Sequence, residues 1–247
     1  MKQTRLLMGM PITIELLDSG ITIDHLDAVF NFFESVDERF SLYRDGSEIS
    51  RINRGELQPN EYSDDMRTIF GLCALTKRQT GGYFEIAHDG RLDPTGVVKG
   101  WAIQQAAARL RAAGRRDFYI DAGGDIQISG TRHGTPWHVG IRNPFRRQEN
   151  VKVLALTACG VATSGTAVRG QHIYDPFQPG VPLLEVVSLT VIGPSILEAD
   201  RFATAAFAMG RRGIQFIEAL PGFEGYQIDA GARATYTSGF ERYVVHE

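Results

Sequence analysis

The run VVKGWAIQQAAARLRAAGRRDFYIDAGGDIQIS, residues 97–129, shows the change of structure that decides the fold. Its first part is rich in alanine and predicts a helix over about 97–113, which Gly114 closes because glycine readily ends a helix. Two short apolar runs follow, at 117–121 and 125–129, and each predicts a strand. The double glycine between them fits a hairpin turn, and its bare backbone could equally let a flat or phosphorylated ligand lie against the sheet.

The patterns on either side of this run predict further helices and strands. Helices are predicted over 22–40, over 63–80, from Ser195 onward and near 213–219. Strands are predicted at 10–17, 137–142, 151–157, 184–192 and 240–245. Helices and strands are interspersed without a strict βαβ rhythm, so we expect an α+β fold with a mostly antiparallel sheet and packed helices. No repeat or low-complexity linker divides the chain, which predicts a single domain over residues 1–247.

Composition narrows the classes of function. The chain has 247 residues, of which 43% are hydrophobic and 22% charged, and its formal net charge is −3. These values are those of an ordinary globular protein, and the charge argues against a nucleic-acid partner. Three short Arg-Arg pairs fit solvated helix ends or loops better than a track for phosphates. The two cysteines lie far apart and form no CxxC motif, which fits a reducing compartment.

The first residues predict neither export nor membrane insertion. The apolar stretch Leu6-Leu7-Met8-Gly9-Met10 is too short for a signal-peptide core, and a proline follows it. Nowhere does an apolar run approach the ~18 residues of a membrane span. From these observations we expect a cytoplasmic protein without a membrane span.

The segment from Glu198 to Phe207 places Asp200 and Thr204 four residues apart on a helix. They therefore share one face, one turn apart, and a carboxylate with a hydroxyl suits a hard cation such as Mg²⁺. The structural alternative is a buried aspartate bonded to a neighbouring loop, with the threonine bonded back to its own helix.

The segment Asp93-Pro94-Thr95-Gly96 leads into the helix that carries Lys99. Gly96 offers a backbone carbonyl with no side chain in the way, and Lys99 in the first helical turn favours an anion. The spacing is not that of a Walker loop, since no serine or threonine follows the lysine. A plain helix entry with a solvated lysine is the alternative.

A hydroxyl-rich loop, Ala162-Thr163-Ser164-Gly165, precedes His172 and the turn Asp175-Pro176. A histidine there could act as a general acid or base, or contact a phosphate, because its ordinary pKa of roughly 6.5 suits proton transfer. Most lone histidines are structural, and this one could simply fix the loop. The absence of a Gly-x-Ser-x-Gly elbow gives little support to a hydrolase triad.

Taken in order along the chain, these segments resemble the ApbE family, the FAD:protein FMN transferases. The resemblance covers nearly the whole chain, and its strength lies in the order of several short motifs. The motifs that carry it are Met8-Gly9-Met10-Pro11, Phe40-Ser41-Leu42-Tyr43-Arg44, Ser47-Glu48-Ile49-Ser50-Arg51-Ile52-Asn53, Lys99-Gly100-Trp101, Ala122-Gly123-Gly124-Asp125-Ile126, Ala162-Thr163-Ser164-Gly165, His172-Ile173-Tyr174-Asp175-Pro176, and Asp200 to Thr204.

The resemblance implies roles for individual residues. It implies an α+β domain related to the T-fold, in which the Gly96 carbonyl, Asp200 and Thr204 bind the metal. Lys99 and His172 match catalytic residues near the FAD phosphates. The remaining FAD contacts that it implies are Met8, Gly9, Met10, Ser41, Tyr43, Asp93, Thr95, Gly123, Gly124, Thr163 and Ser164.

The family's reaction is the attachment of FMN to a threonine or serine of an acceptor flavoprotein through a phosphoester, with release of AMP. The resemblance therefore implies FAD as substrate and Mg²⁺ as cofactor, and the sequence leaves open whether Mn²⁺ can replace Mg²⁺. Two alternatives stay open: a Mg²⁺-dependent FAD pyrophosphatase that uses water, and a non-catalytic FAD-binding protein. The chain departs from the family at Asp93-Pro94-Thr95-Gly96 and at Phe177-Gln178-Pro179-Gly180, and it has no lipobox cysteine near its start.

His172 carries a prediction of its own. Removal of one general acid or base typically costs about 10²–10⁴-fold in rate, so His172→Ala should slow FMN transfer by that factor with nearly unchanged FAD affinity. FAD affinity, melting temperature and transfer rate are measured on one preparation, with His246→Ala as control. Parallel loss of stability and FAD binding would instead indicate a structural histidine.

Overall fold

Most helices and strands lie where the sequence patterns predict them. The computed structural model describes residues 1–146, 148–166 and 173–246. Its helices are α1 Ile23–Phe40, α2 Glu48–Asn53, α3 Asp64–Gln79, α4 Thr95–Ala112, α5 Ile196–Ala208 and α6 Gly213–Glu218. Its strands are β1 Lys2–Leu7, β2 Met10–Leu16, β3 Ala87–His88, β4 Arg91–Leu92, β5 Phe118–Ala122, β6 Asp125–Ser129, β7 Trp137–Arg142, β8 Asn150–Leu156, β9 Gly160–Gly165, β10 Val186–Gly193, β11 Glu224–Asp229 and β12 Ala234–Tyr236.

Eight of these strands form one sheet, in the order β1-β2-β5-β6-β9-β10-β11-β12. Every neighbouring pair in it is antiparallel. The strands β3–β4 and β7–β8 form two separate antiparallel hairpins. The predicted α+β fold with a mostly antiparallel sheet is therefore confirmed.

One face of the sheet packs against the helices. The six residues that fall at helical spacing on α1 are all buried there: Leu26, Val29, Phe30, Phe33, Val36 and Phe40. They share a core with apolar residues of α4, α5 and the strands β2, β5 and β10. The helical spacing of apolar residues thus supplies the packing that holds α1 on the sheet.

The β7–β8 hairpin covers part of the other face. Along β7, Trp137, Val139 and Ile141 are buried, and the residues between them are exposed. Because alternate side chains of a strand point to opposite faces, the hairpin packs its apolar face on a second core. The opposite, polar face of the hairpin therefore carries His138 and Arg142.

Several elements differ from the predictions. The sequence patterns did not predict α2 or the strands β1, β3, β4, β9, β11 and β12, most of which lack a clear apolar alternation. The strand predicted at 240–245 is wrong: residues 240–243 form a 3₁₀ helix, with Phe240 buried in the second core. Only Val244 makes a strand-like bridge there, to Leu154. Among the helices that the structure describes, none has the length and apolar character needed to cross a membrane.

The helices α4 and α5 are in close contact at Gly100. A Cβ placed on Gly100 would lie 2.8 Å from the Cβ of Asp200 and 3.0 Å from the carbonyl oxygen of Ile196. The backbone N–H of Gly100 donates a hydrogen bond of 2.8 Å to Asp200 Oδ2. A side chain at position 100 would push the two helices apart.

We therefore expect Gly100→Ala to lower the free energy of unfolding by about 1–3 kcal/mol, as overpacking of a tight contact does. Gly71→Ala is the matched control, since Gly71 lies in α3 with nothing within 4 Å of an added Cβ. That control should stabilise the protein by about 0.5–1 kcal/mol, because alanine is the better helix former. Urea unfolding of both variants checks this, and equal effects would contradict the close contact.

Candidate active site

A cleft of about 1270 Å³ lies between the start of α4, the end of β9 and the two hairpins. Its lining comes from segments that are distant in sequence. Ten of the residues predicted from the sequence line it: Asp93, Thr95, Gly96, Lys99, Gly123, Gly124, Thr163, Ser164, Asp200 and Thr204. The fold thus brings most of the predicted site together.

The three predicted metal-binding residues lie together in the lining of this cleft. Asp200 and Thr204 lie one turn apart on α5, next to the first turn of α4. A Cβ on Gly96 would lie 3.3 Å from the Cγ2 atom of Thr204, so backbone and side chain are in contact. Carboxylate, hydroxyl and carbonyl are all oxygen donors, and this donor set fits a hard dication such as Mg²⁺.

The described part of the chain contains no cluster of acidic, histidine and cysteine side chains that would form a different metal site. Within residues 1–146, 148–166 and 173–246, no group of three or more His, Cys, Asp or Glu side chains could hold a metal ion. A site built on the Asp200 carboxylate would therefore depend on Thr204, on the Gly96 backbone and on oxygen atoms of the substrate.

Lys99 lies between two buried carboxylates. Its Nζ forms an ion pair with Asp125 Oδ2 and lies 3.6 Å from Asp200 Oδ1. Asp125 Oδ1 accepts a hydrogen bond of 3.1 Å from the backbone N–H of Thr163. Asp125 was not predicted as a site residue, because an aspartate after a Gly-Gly turn also fits an ordinary hairpin. Its position next to the predicted Gly123 and Gly124 was the signal available.

Burial raises the pKa of Asp200 to about 7, even though the ammonium of Lys99 acts in the opposite direction. The negative charge of Asp125 adds to the increase. The ionised form of Asp200 is therefore destabilised where it stands, and a bound cation would stabilise it.

The Gly-Gly turn forms the floor of the cleft beside a third carboxylate. Gly123 and Gly124 have φ angles of +64° and +100°, which favour glycine over residues with a side chain. Gly124 N donates a hydrogen bond of 2.8 Å to Asp121 Oδ1, and the Tyr119 hydroxyl donates one of 3.2 Å to Asp121 Oδ2. Burial raises the pKa of Asp121 above its ordinary value. The Gly-Gly segment is thus a hairpin turn, as one of the two interpretations of the sequence predicted, and it also lines the cleft.

Met8, Gly9 and Met10 lie at the β1–β2 turn and are not among the residues that line the cleft. Met8 and Gly9 have positive φ angles of 52° and 70°. Met10 is buried, and its Sδ atom would lie 3.1 Å from a Cβ on Gly123. Met10 therefore supports the turn that lines the cleft. A direct contact of these three residues with FAD stays a prediction.

The other predicted flavin wall, the segment 41–43, lies beside the cleft. The carbonyl of Ser41 accepts a hydrogen bond of 2.7 Å from Ser47 Oγ, which fixes the loop to the start of α2. Tyr43 is 98% exposed, and the residue of this segment that lines the cleft is Leu42. A role for Ser41 or Tyr43 in FAD binding therefore stays a prediction. His172 lies outside the described residues.

The entrance to α4 is held by Asp93. Its Oδ1 accepts hydrogen bonds from the backbone N–H of Thr95, at 2.9 Å, and from the Thr95 hydroxyl, at 2.6 Å. On the other side, Asn53 of α2 exchanges two hydrogen bonds with the backbone of Leu92, at 2.8 and 3.0 Å. Asn53 was not predicted as a site residue, although it lies in one of the motifs that carry the family resemblance.

A second contact that the sequence did not predict joins the β3–β4 hairpin to the segment after residue 172. The ring of Tyr174 stacks on His88 with a centroid distance of 4.1 Å. The Tyr174 hydroxyl donates to the carbonyls of Glu85 and Ala87, at 3.0 and 3.3 Å. Because Tyr174 and His88 both line the cleft, this contact fixes one wall of it.

The fold and the site define an α+β domain with a nucleotide-sized cleft, whose lining contains oxygen donors and a half-buried lysine. The sequence profile of the ApbE family matches residues 8–90 and 86–227. The chain belongs to the ApbE family.

Curated relatives match parts of the chain. A FAD:protein FMN transferase of Vibrio cholerae is 31% identical over 167 residues, which are 62% of this chain and 50% of the relative. One of Rhodobacter capsulatus is 34% identical over 128 residues, which are 49% of this chain and 24% of the relative. The matched region thus spans half or less of the length of these relatives.

Solved structures match the fold across the chain. The flavin transferase ApbE from Vibrio cholerae superposes with a TM-score of 0.84 at 23% identity and covers 98% of both chains. The ApbE protein from Thermotoga maritima gives a TM-score of 0.86 at 21% identity, over 100% of this chain and 99% of the other. At these identities the superposition establishes a shared fold.

We expect Tyr174→Phe to loosen the β3–β4 hairpin, because it removes the hydroxyl bonded to Glu85 and Ala87 and keeps the ring on His88. Backbone amides in residues 84–93 should exchange with solvent faster, as expected when a local restraint is lost. Hydrogen exchange read by mass spectrometry measures this. Tyr236→Phe, on the half-exposed β12, is the control, and unchanged exchange in Tyr174→Phe would contradict the tether.

Proposed function

We propose that this protein binds FAD with a divalent metal and transfers its FMN half to a threonine or serine hydroxyl of an acceptor flavoprotein, releasing AMP. The observation that carries the proposal is that Gly96, Asp200 and Thr204 lie together with Lys99 in the lining of one cleft. The family membership and relatives named FAD:protein FMN transferase support the same reaction.

The residues present suit the cleavage of a pyrophosphate. In the reaction the acceptor hydroxyl oxygen bonds to the phosphorus of the FMN half, and the bond from that phosphorus to the oxygen bridging to AMP breaks. Negative charge then develops on the bridging oxygen. A metal held by Asp200, Thr204 and the Gly96 carbonyl would supply positive charge there. The ammonium of Lys99 lies in the same partly dry cleft and would stabilise the same charge.

The proton of the acceptor hydroxyl must leave during this step. A histidine or carboxylate within hydrogen-bonding reach can accept it. The sequence proposes His172 for this role, and the described residues next to it, Ile173 and Tyr174, line the cleft. A role for His172 in this proton transfer stays a prediction, which the FMN-transfer rate of His172→Ala tests.

The cleft is also suited to a large, flat dinucleotide. Its volume exceeds that of a typical small-ligand pocket, at about 300–1,000 Å³. The Gly-Gly turn offers a floor without side chains, and Thr163 and Ser164 offer hydroxyls and backbone groups at its edge. We propose that FAD lies across this floor, with its phosphates toward Lys99 and Asp200.

The direct test is incubation of the purified protein with FAD and Mg²⁺, with and without a flavoprotein domain that carries a phosphoester-linked FMN site in its native form. The proposed transferase yields AMP and flavin bound covalently to the acceptor in equal amounts. Formation of free FMN and AMP without acceptor identifies a pyrophosphatase. Binding of FAD without any turnover identifies a non-catalytic FAD-binding protein.

Asp200→Ala should abolish FMN transfer, because Thr204 and one carbonyl cannot hold a hard dication without the carboxylate. We expect a loss of more than about 10²-fold, since loss of the metal removes several kcal/mol of charge stabilisation. Glu34→Ala, which removes an exposed carboxylate from α1, is the matched control. Rates are read from covalent flavin on the acceptor, and full Mg²⁺-dependent activity in Asp200→Ala would disprove the metal assignment.

A further inference from the structure

The ion pair between Lys99 and Asp125 lies directly beside the proposed metal ligand Asp200. The exposed fractions of the side chains are 18% for Lys99, 2% for Asp125 and 4% for Asp200. With both carboxylates ionised, the two carboxylates and one ammonium carry a net charge of −1 in a nearly dry pocket. Burial of charges is unfavourable unless they are paired, so the unbalanced negative charge in this pocket requires an explanation.

The ammonium of Lys99 lies where it would repel a metal ion bound to Asp200. Asp200 Oδ2 accepts the hydrogen bond from Gly100 N, so Oδ1 is the oxygen that faces Lys99 Nζ. A divalent cation at Asp200 would bring two positive centres to one carboxylate. Their repulsion is strong because the pocket is shielded from water.

Asp125 is placed to relieve that repulsion. Its Oδ2 forms the ion pair with Lys99, and its Oδ1 is held by the backbone N–H of Thr163 on the neighbouring strand β9. The sheet thus fixes the Asp125 carboxylate, and the ion pair with this carboxylate keeps the ammonium 3.6 Å from Asp200 Oδ1, beyond hydrogen-bonding distance.

We propose that Asp125 is a positioning residue that holds the Lys99 ammonium off Asp200 Oδ1, so that Asp200 can bind a divalent cation while Lys99 stays in the cleft. This inference rests on the metal site of the proposed function. It assigns Asp125 a part in metal affinity through Lys99, without contact between Asp125 and the metal.

The test is a double-mutant cycle on metal binding. Mn²⁺ binding to the full chain is titrated by electron paramagnetic resonance for the original protein, Asp125→Asn, Lys99→Met and the double variant. Asparagine keeps the shape of aspartate and an oxygen that can accept from Thr163 N, but not the charge. Melting temperatures of all four proteins confirm that each is folded.

We expect Asp125→Asn to weaken Mn²⁺ binding by about 10–100-fold, the usual cost of removing a group that orients a metal site. In that variant the ammonium turns toward Asp200 and competes with the cation. In the Lys99→Met background the same substitution should change affinity less than about threefold, because the competing charge is gone. Lys99→Met alone should keep or tighten Mn²⁺ binding.

Three results would overturn the proposal. These are an unchanged affinity in Asp125→Asn, an equal loss with and without Lys99, and weaker binding in Lys99→Met alone. The measurement on Lys99→Met alone does not require that the Asp125→Asn variant folds. If the original protein transfers FMN with Mn²⁺ and the cycle shows no coupling, only the role of Asp125 fails. If the original protein binds no Mn²⁺, the metal site of the proposed function fails as well.

Discussion

The hydrogen bond from Gly100 N to Asp200 Oδ2 is the contact on which the site depends. It exists because position 100 has no side chain, so that α4 and α5 approach within van der Waals distance. This approach places the first two turns of α4, with Gly96 in the first and Lys99 in the second, against the turn of α5 that carries Thr204. A larger residue at position 100 would separate the donors that the cleft brings together.

The sheet supplies the other half of the site. The strands β6 and β9 are neighbours in the sheet although the β7–β8 hairpin lies between them in sequence. Their pairing sets Asp125 beside Thr163, and the inserted hairpin covers the second core with its apolar face. The same insertion therefore packs on one face of the sheet and gives the cleft a wall that carries Arg142 and His138.

The charges of the buried carboxylates connect this architecture to the proposed chemistry. The carboxylates Asp121, Asp125 and Asp200 all lie in or beside one cleft, and burial raises the pKa of Asp121 and of Asp200. A site with this excess of buried negative charge is suited to bind cations, and anionic phosphates would enter it together with a metal. Lys99 adds the one cation that touches this group among the ion pairs of the described residues. This is the electrostatic setting that we propose for FAD.

The sequence by itself determined the helices and strands that have a clear apolar period, and it determined that Asp200 and Thr204 share one helix face. Helical spacing identified α1, and the i, i+4 spacing identified Asp200 and Thr204, because both follow from one period of the backbone. The strand β9 and the 3₁₀ helix at 240–243 escaped prediction, since they depend on neighbours and not on a local pattern. Only the tertiary structure showed that Asp125 holds Lys99, because the partners of a buried charge come from strands and helices that are far apart in sequence.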